Sequence, residues 1–321
     1  MHKLPKIAQV PRGLFLNQKR AACSIYESGK MIYDILRDTT LNDYTFDYME
    51  TDAVMSNVPM KSYDFFVINW HNHTLPIPRE ILTRYATLKI AVVVEVSNND
   101  YIPFTPEIFD AYMVIDPTKD RVKKFFPFPR PVISTSTLNL LDPKKLTFGS
   151  FGLFSDSFKE EKRFYEIVDA ANNTGEECIV RINLPVATYT YTALESIVKY
   201  ADFLKSRAKP KVEVILTHNY FDRKGLIQWL SQHNINCFPY YRERPGLSAV
   251  TDQALSAGRA IMTTECNTFR HLHKYISHYP KQSYTELMSS TLPGVKQMQI
   301  EWSGEQFRYK FNNMLKELNL I

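Results

Sequence analysis

Short runs of consecutive apolar residues alternate along this chain with longer segments in which apolar residues recur every third or fourth position. In the first half the runs are YDFFVIN (63–69), KIAVVVEV (89–96), AYMVID (111–116) and PVIST (131–135), all rich in β-branched and aromatic residues. Their length and composition predict strands. Between and before them lie helix-like stretches such as SIYESGKMIYDILRDT (24–39), where Ile25, Met31, Ile32 and Ile35 roughly follow helical spacing. Fully apolar strands alternating with helices imply a parallel sheet covered on both faces, so the first half reads as one α/β layer domain.

The proline-rich stretch FFPFPRPVISTSTLNLLDPKK (125–145) predicts a linker near residue 140. After it the alternation restarts. LTFGSFG (146–152) reads as a strand running into a glycine turn, KEEKRFYEIVDAANN (159–173) as an amphipathic helix and ECIVRINLP (177–185) as a strand. Helix, strand, helix and strand follow at 191–208, 211–219, 223–234 and 235–241. The segment RERPGLSAVTDQALSAGRAIMTT (242–264) then supplies a charged loop, another helix and another strand, which completes a second doubly wound unit. At the end, GEQFRYKFNNMLKELNLI (304–321) carries Phe307, Phe311, Met314 and Leu318 at helical spacing. The expected organisation is a domain over 1–140, a second over 145–300, and a helix over 301–321 that packs on its own domain or crosses back to the first.

Composition narrows this picture without changing it. The 321 residues are 44% hydrophobic and 23% charged, as in a globular protein with a substantial core. A net charge of +5 favours anionic partners, but no dense Lys/Arg tract marks a nucleic-acid surface. The four cysteines, Cys23, Cys178, Cys237 and Cys266, show neither a C-x-x-C pair nor a zinc spacing, and read as free thiols of a reducing compartment. No secretory signal is visible, and no apolar run reaches the roughly 20 residues that span a bilayer. The expected location is cytoplasmic.

Candidate chemistry collects around 242–264. In an open parallel sheet, ligands gather where loops leave the C-terminal ends of strands. Ser248 is a natural N-cap, Val250, Ala254 and Ala257 share the sheet-facing side of the next helix, and Gly258 can end that helix in the left-handed conformation. Backbone N–H groups near Gly246–Ala249 would offer an anion site. Asp252, in the first turn, either accepts hydrogen bonds from a diol such as ribose or simply complements the helix dipole.

The segment NCFPYYRERPGLSAVTDQALSAGRAIMTTECNTFRHL (236–272) resembles the donor-nucleotide region of GT-B fold glycosyltransferases, family four in particular. Both share a strand ending in Phe-Pro-Tyr, a charged loop, Gly-x-Ser, a carboxylate, Ala-Leu, and Ala-Gly-Arg before a short strand. The resemblance covers about 145–275 and the first half in outline. It implies two Rossmann-like doubly wound domains facing a central cleft. It also implies transfer of a sugar from a nucleoside-diphosphate sugar to a glycan, lipid-linked or other hydroxyl acceptor, with retention and without a metal or other cofactor.

By that resemblance Asp252 takes the ribose position. The family's sugar-binding glutamate falls at Arg244, with Glu243 one position earlier. Gly246 and Ser248 would serve the diphosphate, with Gly152, Lys159 or Lys162, and Arg181 as further phosphate groups. His71 or His73, after the strand FFVIN, would stand near the transferred sugar together with Glu243. Ala22, Cys23 and Ser24 replace the glycines usual in the first loop, and Glu95 is a further cleft candidate. The displaced glutamate also fits a binding module without turnover. A phage-type enzyme acting on modified DNA is a third reading, which the lack of a basic stripe disfavours.

Overall fold

The computed structural model describes residues 10–19, 23–38, 43–51, 62–71, 75, 79–83, 86–94, 108–133, 143–153, 161–185, 194–243 and 246–321. The chain divides into two compact units, Met1–Pro131 with Gly304–Ile321, and Val132–Ser303. The first unit therefore ends earlier than residue 140, inside the proline-rich stretch, and the last helix belongs to it.

The first unit holds β1 (Arg12–Gln18), α1 (Ser24–Leu36), β2 (Thr45–Thr51), β3 (Phe65–Asn69), α2 (Arg79–Thr83), β4 (Leu88–Val93), β5 (Ala111–Val114) and β6 (Phe125–Pro127). These strands form one parallel sheet in the order β2-β1-β3-β4-β5-β6. Three of the four runs singled out from the sequence are strands. The fourth, PVIST, is not: Val132 makes only an isolated bridge to Ser303, in the second unit, and 134–135 lie outside the described residues. Its place is taken by β6, a three-residue strand whose Pro127 is tolerated because the strand lies at the sheet edge.

Each face of this sheet has its own core. One contains Phe15, Phe65, Val67, Ile90 and Met113 with Ile25, Ile32 and Leu36 of α1. The other contains Leu14, Leu16, Phe66, Ile68, Ala91 and Val114. Alternate residues of β1, β3 and β4 thus point to opposite cores, which is why those strands read as unbroken apolar runs. At the C-terminal ends of β1 and β3 the buried Asn69 donates from Nδ2 to Asn17 Oδ1 (2.7 Å) and to the Ile25 carbonyl (2.8 Å). A Cβ on Gly29 would lie 2.2 Å from that nitrogen, so the glycine lets α1 lie close to the pair.

The second unit runs β7 (Leu146–Phe151), α3 (Tyr165–Thr174), β8 (Cys178–Asn183), α4 (Leu194–Arg207), β9 (Val212–Thr217), α5 (Arg223–Leu230), β10 (Ile235–Phe238), α6 (Val250–Ser256) and β11 (Ala260–Thr263). A 3-10 turn (Asn267–Leu272), α7 (Tyr284–Ser290) and α8 (Leu292–Glu301) follow, and α9 (Gly304–Glu317) completes the first unit. The second sheet is also parallel, in the order β11-β10-β7-β8-β9, so the direction of winding reverses between β7 and β10. Helix α5 starts at an Asp222 cap, whose carboxylate accepts from Gly225 N at 2.7 Å. Among the described residues no helix is long and apolar enough to cross a membrane.

Gly149, in the middle of β7, makes room for the fully buried His233, whose Nδ1 is joined to Asn236 Oδ1 at 3.0 Å. A Cβ there would stand 1.9 Å from Nδ1, with Asn236 and the edge of Trp229 also holding the ring. Gly149→Ala should therefore destabilise the second unit by about 1–3 kcal/mol, the usual penalty of overpacking. A urea midpoint equal to that of the wild type would show that the imidazole yields freely.

Candidate nucleotide site at the strand-order reversal

In open α/β sheets the crevice beyond the strand C-termini, at the point where winding reverses, is where ligands bind. In the second unit that point lies between β7 and β10. Three chain segments converge there. Residues Gly152 and Leu153 leave β7, Pro239–Tyr241 leave β10, and Glu161–Arg163 run antiparallel to the latter. Arg163 N donates to Pro239 O (3.1 Å) and Tyr241 N to Glu161 O (2.8 Å), with Lys162 bridged to Tyr240. Lys162 is therefore not on a helix, as its sequence context predicts, but in this short paired segment; the helix starts only at Tyr165.

The pairing fixes Lys162 over the Tyr240 ring, with Nζ 5.2 Å from the ring centroid, and Nζ donates to Leu153 O at 2.7 Å. The buried Tyr240 in turn donates from its hydroxyl to Phe151 O (3.1 Å), and its own carbonyl accepts from the Thr264 hydroxyl. Gly152 fits between these groups: a Cβ would approach the Tyr240 hydroxyl to 2.7 Å and Lys162 Nζ to 3.5 Å. Desolvation, and secondarily repulsion from Arg242, lower the Lys162 ammonium to about 8, with Glu161 acting the other way. Arg242 itself lies 3.8 Å from Glu161. The Glu161 carboxylate thus acts on both cations.

Asn183, at the end of β8, ties the neighbouring strand ends together. Its Oδ1 accepts from Thr217 Oγ1 (2.8 Å) and Asn219 N (3.0 Å), its Nδ2 donates to Asn219 O (2.9 Å), and its carbonyl accepts from Gly152 N (3.2 Å). The Gly152 N–H is therefore already used within the sheet, and the residue's contribution is space. Sequence reasoning overlooked Asn183, Arg242 and Thr264. Asn183 had a readable signal, a carboxamide inside the run ECIVRINLP.

The Gly246–Ser248 turn differs from expectation in one respect. The residue that caps α6 is Ala249, in helical conformation and without a side-chain cap, so Ser248 is not the N-cap. Ser248 N donates instead to Thr268 O (3.1 Å), while its carbonyl accepts from Thr251 Oγ1 (2.8 Å). Gly246 O accepts from Thr268 Oγ1 (2.8 Å). Among the described residues the Gly246 N–H and the Ser248 hydroxyl have no partner, so these two donors remain available. At seven residues α6 is too short for its dipole to add much. Asp252 sits in its first turn, 3% exposed, and Gly258 ends it at φ +69°, the left-handed conformation expected from the sequence.

Arg181 is not at this edge. It lies inside β8, two residues before the strand ends, on the same face as Ile179, and donates to Gln232 Oε1 at 3.1 Å. The strand runs on through Ile182 to Asn183, within the run ECIVRINLP, so Arg181 stands in mid-strand and not at the end where a phosphate clamp would have to be. Glu243 is exposed on the loop after β10 and His71 follows β3 in the first unit, bridged to Leu75. His73, Glu95, Ala22, Lys159 and Arg244 lie outside the described residues. Among the described residues no three His, Cys, Asp or Glu side chains are grouped to hold a metal ion.

No family model matches the chain, and no curated protein matches it in sequence. Solved structures do match in three dimensions. Anabaena HepE in complex with UDP-glucose aligns over 96% of this chain and all of its own, with a TM-score of 0.57 at 9% identity. The E. coli trehalose-6-phosphate structure bound with UDP-2-fluoro glucose covers 95% of this chain and 94% of its own, with a TM-score of 0.54 at 10% identity. The fold is GT-B. A third GT-B neighbour, the pneumococcal O-GlcNAc transferase GtfA in complex with UDP and GlcNAc, aligns over 80% of this chain and 58% of its own at a TM-score of 0.53 and 10% identity.

Proposed function

We propose that this protein is a glycosyltransferase that moves a sugar from a uridine-diphosphate sugar to a hydroxyl acceptor. The observation that carries the reading is the pair of cations at the strand-order reversal of the second sheet. There Lys162 stands beside Gly152 and over Tyr240, with Arg242 near enough to repel its charge. Uridine is favoured over other bases because GT-B neighbours across the whole chain length were solved with UDP-glucose or a UDP-fluoroglucose.

In the proposed reaction the acceptor oxygen bonds to the anomeric carbon as the bond from that carbon to the β-phosphate oxygen breaks. The electron pair leaves with the diphosphate, and the acceptor proton passes to a departing phosphate oxygen. Lys162 and Arg242 stabilise the charge that develops on that oxygen, so the step needs no metal. The Gly246 N–H and Ser248 hydroxyl donate to the diphosphate, Asp252 holds the ribose, and Glu243 faces the sugar. His71, by the family resemblance, serves the sugar or the acceptor. The resemblance to family four supports retention, and the class of acceptor is glycan, lipid-linked or another alcohol.

A thermal-shift panel of UDP, GDP, ADP and CMP tests the donor. UDP at about 100 times its dissociation constant should stabilise the fold by roughly 2.7 kcal/mol, and the gain should disappear in Asp252→Ala. Stabilisation by another nucleotide alone would reject uridine. No stabilisation by any nucleotide, in a folded sample, would reject the transferase reading.

A further inference from the structure

Removing Arg181 from the nucleotide crevice leaves its actual surroundings to be explained. Its strand alternates: Cys178, Val180 and Ile182 are buried on the face covered by α3, with Cys178 Sγ against the Ala171 carbonyl, whereas Ile179 and Arg181 are half-buried on the other. On that other face, α5 and the turn after it bring Trp229, Gln232 and His233 over β7, β8 and β10. Beyond α5 the face of β8 and β9 stays open and forms a cavity of about 400 Å³. It is lined by Pro143, Lys144, Lys145, Thr147, Ile179, Arg181, Ile215 and Gln232. The strand residues come from the starts or middles of β7, β8 and β9, so this cavity is separate from the crevice at the strand C-termini.

The charged residues that line it are all cations, and the nearest carboxylates, Glu177 and Glu213, act on Lys145. Lys145 is paired with Glu177 at 3.0 Å. Among the described residues neither Arg181 nor Lys144 has a carboxylate partner. One guanidinium N–H is held by Gln232, and the guanidinium carbon is 5.8 Å from the centroid of the Trp229 ring. Those two contacts orient the planar fork and leave its remaining donors unused. The neighbouring buried His233 has no hydrogen-bond partner at Nε2. Burial first, and then the charges of Arg181 and Arg259, push this imidazole down to about 4, so it is neutral in this positive corner.

We infer that this cavity is a second ligand site, taking a phosphomonoester with an apolar body. An Arg fork suits a phosphoryl group and a Lys adds a point charge. Ile179, Ile215 and Pro143 supply an apolar floor for the rest of the molecule, and the volume falls within the roughly 300–1,000 Å³ of small-molecule sites. The inference stands whether or not the transferase reading holds.

Phenyl phosphate is the probe, titrated calorimetrically at constant ionic strength beside inorganic phosphate and phenol. It should bind at least tenfold more tightly than either fragment and weaken at least tenfold in both Arg181→Gln and Lys144→Gln. Lys162→Met should bind it like the wild type. Lys144 lies in the turn before β7 and Lys144→Gln changes no buried group, so it keeps the test open even if Arg181→Gln folds poorly. Wild-type affinity in Lys144→Gln, or loss of binding in Lys162→Met, would overturn the inference. So would the absence of binding to the wild type, and equal affinity for inorganic phosphate would overturn the apolar half.

Discussion

Replacing Lys162 with methionine should lower kcat/KM for the sugar donor by about 10²–10³-fold, the usual result of removing one preorganised charge-stabilising donor. Methionine keeps most of the side chain's volume against Tyr240, so folding should survive and the loss should be chemical. The same residue predicts a pH profile. Its ammonium is lowered to about 8, so it is charged below that pH and neutral above it. A bound diphosphate would raise it again, because an opposite charge favours the protonated form. Above about pH 7, where the terminal phosphate of UDP is fully ionised, affinity should therefore be level to about pH 8 and then fall, approaching tenfold per pH unit until the bound-state value is reached. In Lys162→Met this limb should vanish. Calorimetric titrations of UDP between pH 6 and 9.5 test it, and an unchanged alkaline limb in the variant would remove Lys162 from the phosphate site.

A second large effect concerns the end of the chain. Phe311 of α9 is fully buried, edge-on to Tyr44 (5.5 Å between centroids) and tilted on Phe46 (6.1 Å). Phe307 packs on Phe128 at 5.0 Å, and Arg308 is anchored to Asp38 at 3.0 Å. Phe311→Ala should cost about 3–5 kcal/mol, the range for a buried aromatic cut back to alanine. The loss should fall on the first unit, seen as a separate early transition in urea. Tyr309, on the exposed side of the same helix, is the control, and its alanine variant should stay within about 0.5 kcal/mol. Equal midpoints for the two variants would mean that α9 adds nothing to that core.

Where the sequence was informative, burial and periodicity agreed. β3, β4 and β7–β11 are apolar runs because they are covered on one or both faces, and the glycine at 258 marks a left-handed helix end. β1 and β2 escaped notice. β1 opens on Arg12 and Gly13 and ends in Asn17 and Gln18, and in β2 (TFDYMET) the apolar residues are interrupted by Asp47 and Glu50. Asn17 and Gln18 are fully buried, but polar side chains look the same in a sequence whether buried or exposed. Helix α8 was hidden for another reason: Pro293 and Gly294 interrupt its first turn, and little of it is buried.

The site was legible only in part. Gly152 and Gly246 stand in turn patterns and Asp252 in a first helical turn, whereas Ser248 reads as an N-cap and is not one. The position of Lys162 depends on Glu161–Arg163 pairing with Pro239–Tyr241, some 78 residues further along, and no local pattern encodes that register. Arg181 was misplaced for a related reason. A phosphate clamp needs a place at a strand end, but this strand runs on past Arg181 through Ile182 to a buried asparagine.

The first unit is built from two separated pieces of chain, and this has a consequence for the order in which the protein matures on the ribosome. Residues 132–303 are an uninterrupted piece, complete in sequence before α9 is made. Until Phe307, Phe311, Met314 and Leu315 join it, the face bearing Phe15, Phe65 and Val67 is covered by α1 alone. The part synthesised first is thus the last to be finished.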